Sequence, residues 1–291
     1  ETIDPENPDV LYAGMWEFRR KPWTFTSGGT GSGLYKTTDG GKNWKRLKNG
    51  LPGGELGRIA VDVSEVNPDI VYALIESENS ALYRSDNRGN TWKEVNSSPV
   101  MGERPFYFSY IVTDPVDTMG IYKPGFSLVR STDGGESFES LGGGFHSDVH
   151  AFWISPGDNN FIYMGTDGGV YISNDKAKNW SMVRNLPLSQ FYHVSIDMQK
   201  PYNIYGGLQD NGSWYGPSAS PGGIENSDWT NAGYGDGFYV FPDKKDDNII
   251  YWQYQGGNIK RLYKDTRELK DIKPYPDKST EDLRFNWDTP V

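Results

Sequence analysis

The chain has 291 residues, no cysteine, 35 glycines, 14% aromatic residues and a formal charge of −10. That charge excludes a general nucleic-acid surface, the missing cysteine excludes disulfides while leaving the redox compartment open, and no stretch has the apolar length of a membrane helix. Short apolar runs broken by Gly, Asp and Asn point to a turn-rich all-β protein with room for a large core.

Glu1 runs straight into Thr2-Ile3-Asp4-Pro5, with neither an initiator Met nor a basic-then-apolar leader, so the chain reads as a portion of something longer. From there an apolar strand, a polar corner rich in Asp, Asn and Pro, and a second apolar strand carrying Tyr recur at residues 3–14, 59–73, 111–122, 152–165, 194–207 and 238–252. Leu283-Arg284-Phe285-Asn286-Trp287 reads as the opening of a seventh copy.

A second motif follows the first in four of these units. Thr37-Thr38-Asp39-Gly40-Gly41-Lys42-Asn43-Trp44 returns as Ser85 to Trp92, Ser131 to Phe138 and Ser173 to Trp180, with its acidic or amide position at Asp39, Asn87, Asp133 and Asp175. The steps of 48, 46 and 42 residues suit stacked supersecondary units. Asp or Asn closes such a turn by accepting backbone N–H bonds, Gly41, Gly89 and Gly135 permit positive φ, and Ala177 departs from the pattern. These four positions are expected to be structural rather than catalytic.

Each unit therefore supplies strands A and B around the Asp-Pro corner, then C and D around the repeated turn. Four antiparallel strands per 40 to 50 residues is the pattern of a β-propeller blade. The expected blades are 1–52, 53–99, 100–144, 145–187, 188–233 and 234–280, with the next starting at 281–291. The longest insertions, 16–32 and 212–228, are placed between strands B and C; Trp229 takes the aromatic place in unit five, and the charged stretch 262–273 accommodates a short helix. The glycine run 28–33 lacks the Lys of a phosphate loop and reads as a flexible loop.

The four turns resemble the Asp-box, or bacterial neuraminidase repeat, of sialidases, two-propeller xyloglucanases and sortilin-type receptors. Leu11-Tyr12-Ala13-Gly14-Met15-Trp16, Gly206-Gly207-Leu208-Gln209-Asp210-Asn211-Gly212 and Arg284-Phe285-Asn286-Trp287 are similar to phrases of large bacterial sortilin-like proteins often labelled glycosyl hydrolase. The resemblance implies a secreted, periplasmic or cell-surface setting, a longer polypeptide or a second propeller as partner, and a glycan or peptide ligand. It is specific for fold, whereas Asp-boxes recur in enzymes and binders alike.

If the repeated turns join C to D at one end of each blade, the B-to-C connections and the entries into strand A lie at the other, where ligands are expected. His146, Asp148 and His150, alternating as in a strand, would project to one side about 6.5 Å apart, as a divalent-metal site or a polar channel lining; no cofactor is required. Trp16, Arg19, Arg20 and Trp23 in the first insertion, with Arg58, Arg104, His193, Gln209, Asn211 and Arg284, suit sugar stacking and carboxylate capture, or an edge packed on a neighbouring domain. Ligand binding is the leading expectation. Glycoside hydrolysis is the alternative, needs two carboxyl groups roughly 5 to 9.5 Å apart, and has Asp148, Asp210 and Asp236 as its candidates. A purely structural docking module is the third reading.

Overall fold

The computed structural model describes residues 1–186, 188–277 and 281–291. Six four-stranded antiparallel sheets follow one another along the chain, each with its strands neighbouring in sequence order, which is the blade architecture of a β-propeller. The first blade holds β1 (Thr2–Asp4), β2 (Asn7–Met15), β5 (Gly33–Thr37) and β6 (Lys45–Arg46), with a separate hairpin of β3 (Phe18–Lys21) and β4 (Thr24–Ser27) between its strands B and C. The second is β7 (Ile59–Val63), β8 (Val71–Ile75), β9 (Ala81–Ser85) and β10 (Lys93–Asn96). One helical turn, α1 (Pro105–Phe108), precedes the third blade of β11 (Val112–Thr113), β12 (Ile121–Lys123), β13 (Val129–Ser131) and β14 (Glu139–Ser140). The fourth is β15 (Val149–Ser155), β16 (Asp158–Thr166), β17 (Gly169–Ser173) and β18 (Ser181–Met182). These four blades form one compact unit, Glu1–Arg184.

A second unit, Asn185–Val291, holds the other two. They are β19 (Phe191–Ile196), β20 (Asn203–Leu208), β21 (Gly212–Pro217) and β22 (Thr230–Gly233), then β23 (Val240–Pro242), β24 (Ile249–Tyr254), β25 (Asn258–Tyr263) and β26 (Leu269–Asp271).

Within each unit the core lies between successive blades. All five residues of β8 are buried, because a central strand packs on a neighbouring sheet through both of its faces. The strand-B tyrosines Tyr12, Tyr72, Tyr122 and Tyr205 are fully buried, and each phenol needs a partner there; Tyr12 donates to the Arg88 carbonyl of the next blade at 2.8 Å.

The four repeated turns share one bonding scheme. Thr37 Oγ1 donates to Asp39 Oδ1 at 2.8 Å and accepts from Gly41 N, while Asp39 Oδ1 accepts from Asn43 N at 2.9 Å. Equivalent bonds tie Ser85, Asn87 and Thr91, then Ser131, Asp133 and Ser137, and finally Ser173, Asp175 and Asn179. Ala177 takes the glycine's positive φ of 64° and still donates to Ser173 Oγ. Trp92 is nearly buried beneath its turn, worth up to about 5 kcal/mol of apolar burial, whereas Trp44 is 42% exposed.

Four expectations are corrected. In the fifth blade strand C begins at once, at Gly212, because Asp210 and Gly212 adopt positive φ and close a tight turn; the insertion lies between C and D instead. The stretch 262–273 forms the end of β25, a turn and β26, with no helix among its residues. The glycine run is held rather than loose: Gly28 N donates to the Glu17 carbonyl, Gly31 N to Glu17 Oε2, and a Cβ on Gly29 would stand 2.4 Å from the Glu17 carboxyl. Residues 281–291 form no strand; their bonds reach Gly256, Gln253 and His193.

Candidate functional site

Antiparallel order puts the repeated turns at one end of the first four blades and the B-to-C connections, with the entries into strand A, at the other. In the first unit this second end carries the β3–β4 hairpin, α1 and the start of β15. Together they build a row of aromatic rings. Trp16 stacks on Phe18 with centroids 4.2 Å apart, Phe25 meets Phe106 at 4.9 Å, Phe106 meets Tyr107 at 4.1 Å, and Phe108 stacks on His150 at 5.1 Å. Phe25 is also 6.5 Å from Trp16, and Tyr107 6.2 Å from Phe108, so the row is continuous. Phe18, Phe25 and Tyr107 are exposed.

Local chemistry explains the positions. Arg20 pairs directly across from Phe25, and Phe18 lies two residues before Arg20, so all three share a hairpin face. Pro105 starts α1, and Arg104 turns into it with a left-handed φ of 41°. The Arg104 guanidinium sits 5.2 Å from the Tyr107 ring and 5.5 Å from Phe108. Arg58 lies 5.4 Å from the Trp16 ring and donates to the Phe106 carbonyl at 2.5 Å, fastening hairpin to helix. Arg19 projects from the other hairpin face, and Trp23, at the tip, is 78% exposed beside Lys21.

Asp148, His150 and Asp167 close the row. Asp148 has φ of 62°, held by bonds from its own N–H to the Phe126 carbonyl and from Val149 to Gly125. That left-handed residue breaks the alternation expected for His146, Asp148 and His150, since β15 begins only at Val149. His146 Nδ1 lies 2.9 Å from the Ser147 carbonyl, and His150 Nε2 3.1 Å from Asp167 Oδ1. Among the described residues no group of three His, Asp or Glu side chains is disposed to hold a metal ion, and these three form none. Asp148 faces Arg104 at 3.5 Å and accepts from Ser147 Oγ at 2.9 Å. Beside this cluster Lys123 and Glu103 each bury a polar atom with no hydrogen-bond partner, and burial pushes the Lys123 ammonium down while Glu103 pulls it back up.

The inner strands β1, β7, β11 and β15 enclose a cavity of about 680 Å³ that Trp16 and Arg58 also line. Asp62 stands on its wall, accepting from Thr113 N and Oγ1, both at 2.8 Å; surrounding protein pushes its pKa up to about 6.

The remaining sequence candidates lie in the second unit. Asp236 is buried and accepts from Asp210 N at 2.9 Å and Gln255 Nε2 at 2.8 Å, so it braces the turn after β20. Gln209 accepts from Gln190, Asn211 donates to the Gln209 carbonyl, and His193 stacks on Tyr239 at 3.9 Å while pairing with Asp288 at 2.9 Å. Arg284 is exposed in the irregular 281–291 segment. Asp148 therefore belongs to a different unit from Asp210 and Asp236; within its own unit, the backbone N–H of Asp167 donates to the Asp148 carbonyl. Asp167 and the Phe106-Tyr107-Phe108 run went unnoticed in the sequence. The first sits in Thr166-Asp167-Gly168-Gly169, spelled like the repeated turns although it joins strands B and C; the second is an apolar run before a strand, indistinguishable there from core.

No protein-family model matches the chain. It is 30% identical over 166 residues to xyloglucanase Xgh74A of Acetivibrio thermocellus, covering 50% of this chain and 19% of that one. It is 25% identical over 241 residues to a Paenibacillus xyloglucanase, 68% of this chain and 23% of that one, and 24% over 240 residues to an oligoxyloglucan-reducing end-specific xyloglucanase of Emericella nidulans, 68% and 29%. The chain thus spans less than a third of these curated relatives. Among solved structures, the GH74 xyloglucanase of Xanthomonas campestris aligns with a TM-score of 0.47 at 15% identity over 93% of this chain and 44% of that one, and YCF48 bound to D1 peptide with 0.42 at 11%, over 88% and 85%.

Proposed function

We propose that the chain is a carbohydrate-binding, glycoside-hydrolase-like propeller portion of a secreted or surface-exposed protein, with its Asp-box turns serving the fold. Its polysaccharide lies along the aromatic row from Trp16 to His150. The row itself carries the reading: its exposed rings Phe18, Phe25 and Tyr107, flanked by guanidinium groups and ending near the carboxylates of Asp148 and Asp167, suit pyranose rings with an apolar face and a hydroxyl rim. The similarity to xyloglucanases supports a polysaccharide over a peptide. Asp148 and Asp167 are the proposed carboxyl pair, one to protonate the leaving oxygen and the other to act as base or nucleophile; a second propeller or the rest of a longer polypeptide completes the cleft.

A panel of neutral β-glucans including xyloglucan, read for both retention and new reducing ends, tests this. Tyr107→Ala is expected to weaken retention about tenfold through one lost stacking ring. Asp148→Asn and Asp167→Asn are each expected to abolish cleavage while sparing retention. Cleavage that survives both substitutions moves the chemistry elsewhere, and absence of retention for every polysaccharide, neutral or acidic, removes the carbohydrate reading.

A further inference from the structure

We infer that the row selects an anionic polysaccharide, one bearing uronic-acid carboxylates, rather than a neutral glucan; this rests on the carbohydrate reading above. The chain as a whole is acidic, at −10, and would repel a polyanion. Yet the aromatic face gathers three arginines. Arg20 shares the face of Phe18 and Phe25, Arg58 covers Trp16, and Arg104 covers Tyr107 and Phe108.

Three carboxylates at this end are already engaged. Glu17 accepts from Gly31 N at 2.8 Å, Glu76 from Ser27 Oγ at 2.6 Å and Arg58 N at 2.7 Å, and Asp167 faces His150. Two guanidinium groups are exposed, one of them facing Asp148. Arg20 is exposed and makes no hydrogen bond or ion pair among the described residues. Arg104 is half-exposed, and its 3.5 Å contact with Asp148 is long for a charge-assisted bond. Each fork can take a carboxylate through two parallel N–H bonds while the sugar ring stacks beside it, a match that a neutral glucan cannot make. Arg58, committed to the Phe106 carbonyl, holds the platform between them.

The test compares retention of polygalacturonate and alginate with that of xyloglucan. At low salt the acidic polymers are expected to be held about tenfold more strongly, with the advantage lost near 0.5 M salt as screening sets in. Arg20→Gln and Arg104→Gln are each expected to cut acidic retention several-fold and xyloglucan retention by clearly less, while Lys93→Gln, on an outer strand, changes neither. Thermal melts of the variants check that folding is intact. Acidic retention no stronger than xyloglucan retention overturns the inference while leaving the carbohydrate reading in place, as does an advantage that persists in the Arg20→Gln/Arg104→Gln double variant. Failure to retain any of the three polymers removes both.

Discussion

Asp133 accepts hydrogen bonds from the Ser137 hydroxyl, the Ser137 N–H and the Ser131 hydroxyl, and these hold its carboxyl down at about 2. Asp39 is lowered to about 2 in the same way by Asn43 and Thr37. A depressed folded value contributes stability that is present above the unfolded value of about 3.9 and is lost as pH falls toward 2. Asn87, in the second turn, makes the same backbone bond and donates to Thr91 Oγ1 at 2.8 Å without titrating. Asp133→Asn is therefore expected to fold normally at pH 7 and to lose less of its melting temperature between pH 4 and pH 2 than the parent chain. Identical acid slopes would mean that this carboxylate is not what the acid reaches.

Between elements, the repeated turns act as inter-blade clamps. Arg88, left-handed at φ 54°, binds Asp4 and Glu6 of the preceding blade, each at 2.7 Å, and Asp69 of its own at 2.9 Å, while its carbonyl accepts from Tyr12 and Lys36. The fourth blade repeats the device: Lys176 approaches Asp114 at 3.6 Å and its carbonyl accepts from Arg130. The Asp4 side chain is completely buried, so Arg88→Met strands a carboxylate; urea unfolding is expected to show a loss of about 2 kcal/mol, moderated because water reaches one side of Arg88. A loss below about 0.5 kcal/mol would make the clamp a surface pair of little consequence. The repeat spelled out each turn, but the partner across the blade boundary has no sequence spacing of its own. The left-handed Asp210 likewise hid the early start of β21: the letters of 209–212 do not state which residues turn.

For the molecule as a whole, two opposing titrations shape stability. Asp62, pushed up to about 6, contributes stability that is present below about 3.9 and lost as pH rises through 6, opposite in sign to the turn carboxylates. Melting temperature is expected to peak near pH 4, and Asp62→Asn to flatten its decline between pH 4 and 6; a parent melting temperature that rises across that window would contradict this. By itself the sequence determined the all-β class, the four-stranded blade and the four repeated turns, because alternation and turn chemistry act within a few residues and leave a periodic trace. It also placed Trp16, Arg58 and Arg104 at the end of the blades opposite those turns. Only the tertiary structure decided which of them meet: the joining of hairpin, α1 and β15 into one aromatic row and the engagement of Asp236 in bracing a turn depend on contacts between blades. Such contacts follow from backbone direction at single left-handed residues and from packing across sheets, neither of which leaves a period in the chain.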